Sequence, residues 1–205
     1  GVEGFYNFDP QKSNLFASAT KSFSDFYFNK YFPDTTNADS NSSLSLLESF
    51  SSSVFTSIAK TADEIGRTGN ESFIYELIKQ SSAEITSGST SYFFSNNSFS
   101  ETGLSFEITE QLTYSLSKKS IETLSAGNND QLDFNKIAEA VAFGSSMGAQ
   151  NEQSLNSISG FTTNMANTRK LLSQAVAFGN AQGSLVALSE LSLTEQDIGW
   201  DEIKE

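Results

Sequence analysis

The side chains here that could do acid–base work are carboxylates and hydroxyls, because histidine and cysteine are both absent from the 205 residues. Without imidazole there is neither the usual general base nor the commonest metal ligand, and no side chain whose ordinary pKa lies near neutral pH. Without thiols, disulfides, thiol proteases and Cys/His zinc sites are excluded, as are Ser-His-Asp triads. A Ser–Lys dyad or a pair of carboxylates working as in a glycoside hydrolase remains formally open. Serine is about one residue in six, so a serine near a lysine carries no information and reads as a solvated hydroxyl.

Two carboxylate pairs are candidates if the fold brings them into a cleft: Glu101 with Glu110, and Asp130 with Asp133. Helix capping accounts better for the second pair. Carboxylates also gather at the end of the chain, at Glu190, Glu195, Asp197, Asp201, Glu202 and Glu205. A calcium loop needs Asp or Asn at alternating positions, a central glycine and a closing glutamate, and this stretch lacks that order. It reads as a hydrated acidic tail, with a weak divalent-ion or inter-repeat contact as the alternative. No glycine-rich phosphate loop is present. The expectation is a chain with no catalytic residue, no metal and no cofactor, and not an enzyme.

The elements that would position any site are helices. Two prolines suit long helices, since an interior proline costs about 3 kcal/mol. Phe16, Ala19, Phe23, Phe26, Tyr27 and Lys30 recur at helical spacing and predict a first helix from Ser13, widened by Phe28 and Phe32 and stopped at Pro33. Leu47, Phe50, Val54, Ile58, Ala62 and Ile65 predict a second over Ser43–Arg67, ended by Gly66 or Gly69. Asn70 is the expected N-cap of a third that buries Phe73, Ile74, Leu77 and Ile78 and closes at Gly88; residues 89–103 read as a loop or short helix. Ile108, Leu112, Leu116, Ile121 and Leu124 set a fourth over Leu104–Ser125. A fifth, capped by Asp130 or Asp133, should bury Leu132, Ile137, Val141 and Met147. Residues 154–178, weakened at Gly160, and then 184–193 complete the pattern. Strand signals are weak.

The fold class expected is therefore all-α: a single globular bundle of five to eight helices over residues 13–193. An irregular lead-in covers residues 1–12 and a loosely held acidic tail or linker residues 194–205. Ala140-Val141-Ala142-Phe143-Gly144 recurs as Ala175-Val176-Ala177-Phe178-Gly179, which reads as two helices ending in similar packing with a ring folded over each cap.

Composition narrows the function classes. A net charge of −13 and a pI near 4.3 argue against nucleic acid and against anionic membrane surfaces as partners. The same charge keeps a concentrated solution from aggregating through self-repulsion. No apolar stretch is long enough for a membrane span. Eighteen Phe against one Trp and two Met make the core aromatic. The rings at Phe23, Phe26, Tyr27, Phe28, Tyr31 and Phe32 exceed what one helix face buries, so some should reach solvent or a second surface and promote self-association. A Phe-lined cavity for a small apolar ligand is the alternative to a plain core. Asn-X-Ser sequons at Asn41, Asn70 and Asn96 are about as many as this composition gives by chance.

The segments Phe16–Ala19 (Phe-Ala-Ser-Ala), Ser22–Phe26 (Ser-Phe-Ser-Asp-Phe), Leu46–Phe55 (Leu-Leu-Glu-Ser-Phe-Ser-Ser-Ser-Val-Phe) and Leu171–Gly179 (Leu-Leu-Ser-Gln-Ala-Val-Ala-Phe-Gly) resemble the repeat unit of a spider silk protein (spidroin). The nearest types are those with long complex repeats, as in egg-case, wrapping or attachment silks. The likeness is compositional and covers most of Phe16–Leu193. The chain is poorer in Ala, richer in Phe and more acidic than such repeats, and Tyr92-Phe93-Phe94 has no counterpart. The resemblance implies a secreted, extracellular structural protein. Its domains are stored as a soluble helical bundle and assemble into fibre with other copies or neighbouring repeats. A secreted helical module holding an apolar ligand, and an adhesin-type surface domain, are the alternatives.

Overall fold

A computed structural model of the chain describes residues 10–32, 40–67, 69–94, 104–125, 132–156, 158 and 165–191. Among them are seven helices and no strand: α1 (Pro10–Tyr31), α2 (Ser40–Ile65), α3 (Glu71–Phe94), α4 (Leu104–Ser125), α5 (Phe134–Ala149), α6 (Glu152–Asn156) and α7 (Met165–Glu190). The all-α bundle expected from the sequence is what forms.

Local chemistry explains several boundaries. Pro10 opens α1 from within the stretch expected to be irregular, because a proline at the first helical position loses no hydrogen bond. Gly66 and Gly69 take positive φ (78° and 84°) and end α2 as anticipated. Asn70 sits at the N-terminal boundary of α3, where its carbonyl accepts from Phe73 and Ile74. Its side chain turns backward, however, donating to the carbonyls of Ile65 and Gly66 at 3.2 and 2.9 Å and so closing α2. Asp133 caps α5 through Oδ1, which accepts from the Asn135 amide at 2.8 Å and, less closely, from Lys136.

The helices form two layers. In one, α3 lies between α1 and α5; in the other, α4 lies between α2 and α7; α6 packs on α3 and α5. The chain crosses from one layer to the other at each step from α1 through α5, and α7 returns to the second layer. Within a layer the helices run in the same direction: Gly144 meets Lys79 and Gly148 meets Ala83, while Gly179 meets Glu110 and Thr113 and Gly183 meets Tyr114. Between the layers sits the core, built on Phe28, Leu47, Phe50, Phe55, Ile58, Ile74, Ile78, Ile108, Leu112, Leu116, Ile121 and Ile137. At the α1 end it is aromatic, with ring centroids 5.3–5.4 Å apart for Phe28–Phe93, Phe32–Phe93 and Phe28–Phe50.

Glycines read as helix stops are instead helix contacts. Gly88 does not close α3, which continues through Phe93; it faces α1, and a β-carbon there would lie 3.6 Å from Asp25 Oδ1. Gly144 and Gly179 lie inside α5 and α7, not at ring-covered C-termini, and α7 is one continuous helix where two were expected. Each repeated Ala-Val-Ala-Phe-Gly is followed four residues later by another glycine, Gly148 and Gly183. Spacing of four puts both glycines of each pair on one helix face. A methyl group at any of the four would overlap a carbonyl oxygen of the neighbouring helix: Lys79, Ala83, Glu110 or Tyr114. Backbone therefore packs directly on backbone in both layers.

Burial on α1 also departs from expectation. Its buried line is Thr20, Ser24 and Phe28, continuing to Phe32, while Phe23 and Phe26 of the expected core stripe are 39% and 60% exposed. Met147, expected inside, is 53% exposed.

Replacing Gly183 with Ala should destabilise the fold by about 1–3 kcal/mol through overpacking against Tyr114. Gly88→Ala, where the added carbon meets only an ordinary contact, should be neutral or stabilising by up to about 1 kcal/mol from helix propensity. Urea midpoints of the two variants, at unchanged m-value, separate the roles; equal shifts would contradict the close approach described.

Candidate interaction surface

Of the carboxylates singled out in the sequence, Glu110, Asp133 and Glu190 fall among the described residues, on α4, at the start of α5 and on α7. Glu110 is half-buried on α4 beneath Gly179, and Glu101, Asp130, Asn96 and residues 194–205 lie outside the described residues. Asp133 serves as a cap. Asn70 faces the end of α2, and Asn41 lies in the first turn of α2. Among the described residues no group of three or more Asp or Glu forms a cage for a metal ion, and no helix is long and apolar enough to cross a membrane.

One charged knot ties elements together. Lys118, only 13% exposed on α4, reaches Glu48 of α2 at 3.5 Å, Glu190 of α7 at 3.2 Å and Glu122 at 3.7 Å; Lys119 holds Glu122 at 2.7 Å. Burial works to lower the Lys118 pKa, but Glu190, Glu48, Tyr114 and Glu122 outweigh it and hold the ammonium well above the usual lysine range. Glu190 is held below the usual carboxylate range, first by hydrogen bonding with Glu122 and then by Lys118. Glu110 is pushed upward by burial and then by Glu107.

The largest exposed apolar side chains lie along one side of α1 and on the glycine-bearing helices. Leu15 and Phe26 are 71% and 60% exposed, with Phe23 and Tyr31 beside them; Phe143 and Phe178, the paired phenylalanines of the sequence echo, are both more than half exposed. On α1, Leu15, Ala19, Phe23, Phe26 and Lys30 follow helical spacing into a ridge on the side away from the buried Ser24–Phe28 line. Where this ridge meets α2 there is a groove of about 290 Å³, walled by Phe16, Phe23 and Val54 with Ser53 and Ser57 below. Lys30 Nζ stands over the rings of Phe26 and Tyr31 at 5.6 and 5.1 Å. Among the described residues no carboxylate lies within ion-pair reach of it. A second groove, of about 370 Å³ between α3 and α5, is walled by Tyr75 and Phe143, and its charges balance: Lys79 and Lys136 against Glu76 and Glu139.

The sequence anticipated that rings of this segment would reach a surface but assigned the outward ones to the core. The distinguishing signal was the Thr20-Ser24-Phe28 line, which is buried where Phe23 and Phe26 are not.

Beside α1, the exposed flank of α2 carries a hydroxyl ladder. Ser53 donates to the Ser49 carbonyl, Ser57 to Ser53 and Thr61 to Ser57, each at 3.0 Å. Within the layers the buried hydroxyls of Ser81, Ser82 and Thr86 on α3 and of Ser145 on α5 have no hydrogen-bond partner among the described residues. An unpaired buried hydroxyl costs about 1–3 kcal/mol.

No family model, curated protein or solved structure matches this chain.

The two shifted glutamates predict pH effects of opposite sign. Glu190 titrates lower in the folded chain than in the unfolded one, so its contribution is present above the ordinary carboxylate pKa and is lost as pH falls through the folded value. Glu190→Gln should lower the urea midpoint at pH 7, with the gap from the parent closing below about pH 4. Glu110 titrates higher when folded, so its charge opposes folding at neutral pH and the opposition is relieved on acidification. Glu110→Gln should raise the midpoint at pH 7, and that gain should shrink towards pH 4. Midpoints measured across pH 3–7 check both, and a shift of the same sign for the two variants would refute the assignment.

Proposed function

We propose that this chain is a structural, silk-like repeat domain of a secreted, extracellular protein, stored as a soluble helical bundle and assembled into fibre by self-association. The observation that carries this reading is the apolar ridge of α1, which leaves Leu15 and Phe26 mostly exposed and Phe23 exposed on its outer side. Exposed side chains of that size, aligned on one helix, are what an association surface requires.

Two further features fit an assembly that must fold first and reorganise later. The helix contacts within the layers use Gly, Ser and Thr, and several of the buried hydroxyls have no partner among the described residues, a cost borne by the folded state. Serine, threonine and aromatic side chains are also compatible with sheet when shear and dehydration bring chains together. The acidic charge opposes association in storage and weakens as carboxylates take up protons.

The second reading, a helical module carrying an apolar ligand, draws on the open groove at Phe16, Phe23 and Val54. Native mass spectrometry of the purified chain tests it directly, because a stoichiometric lipid would favour that reading over assembly.

For the assembly reading, circular dichroism of the concentrated protein should show a helical spectrum at rest that turns to sheet as fibres appear under shear, more readily near pH 4 than at pH 7. A helical spectrum that survives shear unchanged at both values would defeat it.

A further inference from the structure

Charge is distributed unevenly along this acidic chain. In sequence, α1 carries Lys12, Lys21 and Lys30 against Asp25 alone, whereas residues 194–205 carry Glu195, Asp197, Asp201, Glu202 and Glu205 against Lys204. The acidic segment also holds Ile198, Ile203 and the single tryptophan, Trp200. The most cationic helix is thus the one with the uncovered apolar ridge, and the most acidic segment contains the largest side chain available to cover it.

Resting on the assembly reading above, we infer that the α1 face takes residues 194–205 of a second copy, joining copies head to tail. Trp200 and its neighbouring isoleucines cover Leu15, Phe23 and Phe26 and the groove at Phe16 and Val54. The flanking carboxylates meet Lys30, whose ammonium already stands over Phe26 and Tyr31. An indole against an apolar groove next to a cation is the kind of anchor that dominates interface energy. Lys21 adds to the attraction although it is paired with Asp25 at 2.8 Å, since that pair is half exposed.

A second copy suits the geometry better than the same copy. The α7 helix, from which the segment continues, packs on α4 and α5 and makes no contact with α1. With packed helices about 8–10 Å apart, the route from Glu190 past α4 and α2 to the outer side of α1 is roughly 30 Å. The ten residues to Trp200 would need nearly their full extension, about 3.3–3.6 Å each, to cover it. Between copies there is no such strain. Because donor and acceptor surfaces differ, the joint is heterologous and does not close on itself, so copies add in chains.

The test uses the whole 205-residue chain in low salt, by sedimentation across a wide concentration range. The parent should grow beyond a dimer as concentration rises, and high salt should weaken the growth. Phe26→Glu and Trp200→Ser should each weaken association by at least about tenfold, with unchanged helical circular dichroism as the folding control. An equimolar mixture of the two variants is decisive: one intact α1 face and one intact segment remain per pair, so one-to-one dimers should form and stop there. A parent that stays monomeric, a Trp200→Ser variant that associates like the parent, or a mixture that fails to pair would each overturn the joint. Fibres that form under shear equally well in both variants would remove this joint and leave the assembly reading standing. Head-to-tail chains that never convert to sheet would do the reverse.

Discussion

The spacing of α5 on α3 and of α7 on α4, within the two layers, is set by four missing side chains. At Gly144, Gly148, Gly179 and Gly183 the backbone of α5 or α7 rests on carbonyl groups of α3 or α4, with no room for a methyl group. Once those pairs are brought to that distance, the residues beside the glycines must be small as well. Ser82, Ser145 and Thr113 are buried for that reason, and Asn180 can reach Ser117 at 2.6 Å. Larger apolar residues are left to fill the space between the layers, which is where Ile108, Leu112, Ile137 and Leu172 lie. The division between thin contacts within a layer and a bulky core between layers follows from that constraint.

The same constraint explains what sequence patterns could and could not convey. The α2 stripe from Leu47 to Ala62 and the α4 stripe from Ile108 to Leu124 were legible because large apolar residues at helical spacing are buried by the opposite layer. Glycine was misread because a local reading treats it as punctuation, whereas here it removes bulk inside a helix. Gly66 and Gly69, with positive φ, are the punctuation; Gly88, Gly144 and Gly179 are not. The i, i+4 recurrence after each Ala-Val-Ala-Phe was the sequence signal that separated the two kinds. On α1 two stripes competed, and the more aromatic one lost. Thr20 and Ser24 turn inward with Phe28 and Phe32, and Phe23 and Phe26 are left on the outer side.

Electrostatics then acts on a scaffold that packing has already fixed. Lys118 draws Glu48, Glu122 and Glu190 together and so connects all three helices of one layer, α2, α4 and α7. No equivalent knot is seen among the described residues of the other layer, where α1 and α3 are joined by rings and by the Tyr92 hydroxyl donating to the Phe32 carbonyl at 2.8 Å. The two layers share an architecture but are fastened by different chemistry.

That difference has a mechanical consequence. Tension applied through the two ends of the described chain would load α1 and α7 first, and these sit on different fastenings. The α1 seam is held by rings that meet mostly edge-on and by one hydroxyl-to-carbonyl hydrogen bond. The α4–α7 seam is a backbone-to-backbone fit, tied at its end by Lys118. The α1 edge would therefore be the first to yield under load, leaving while the α4–α7 pair stays closed.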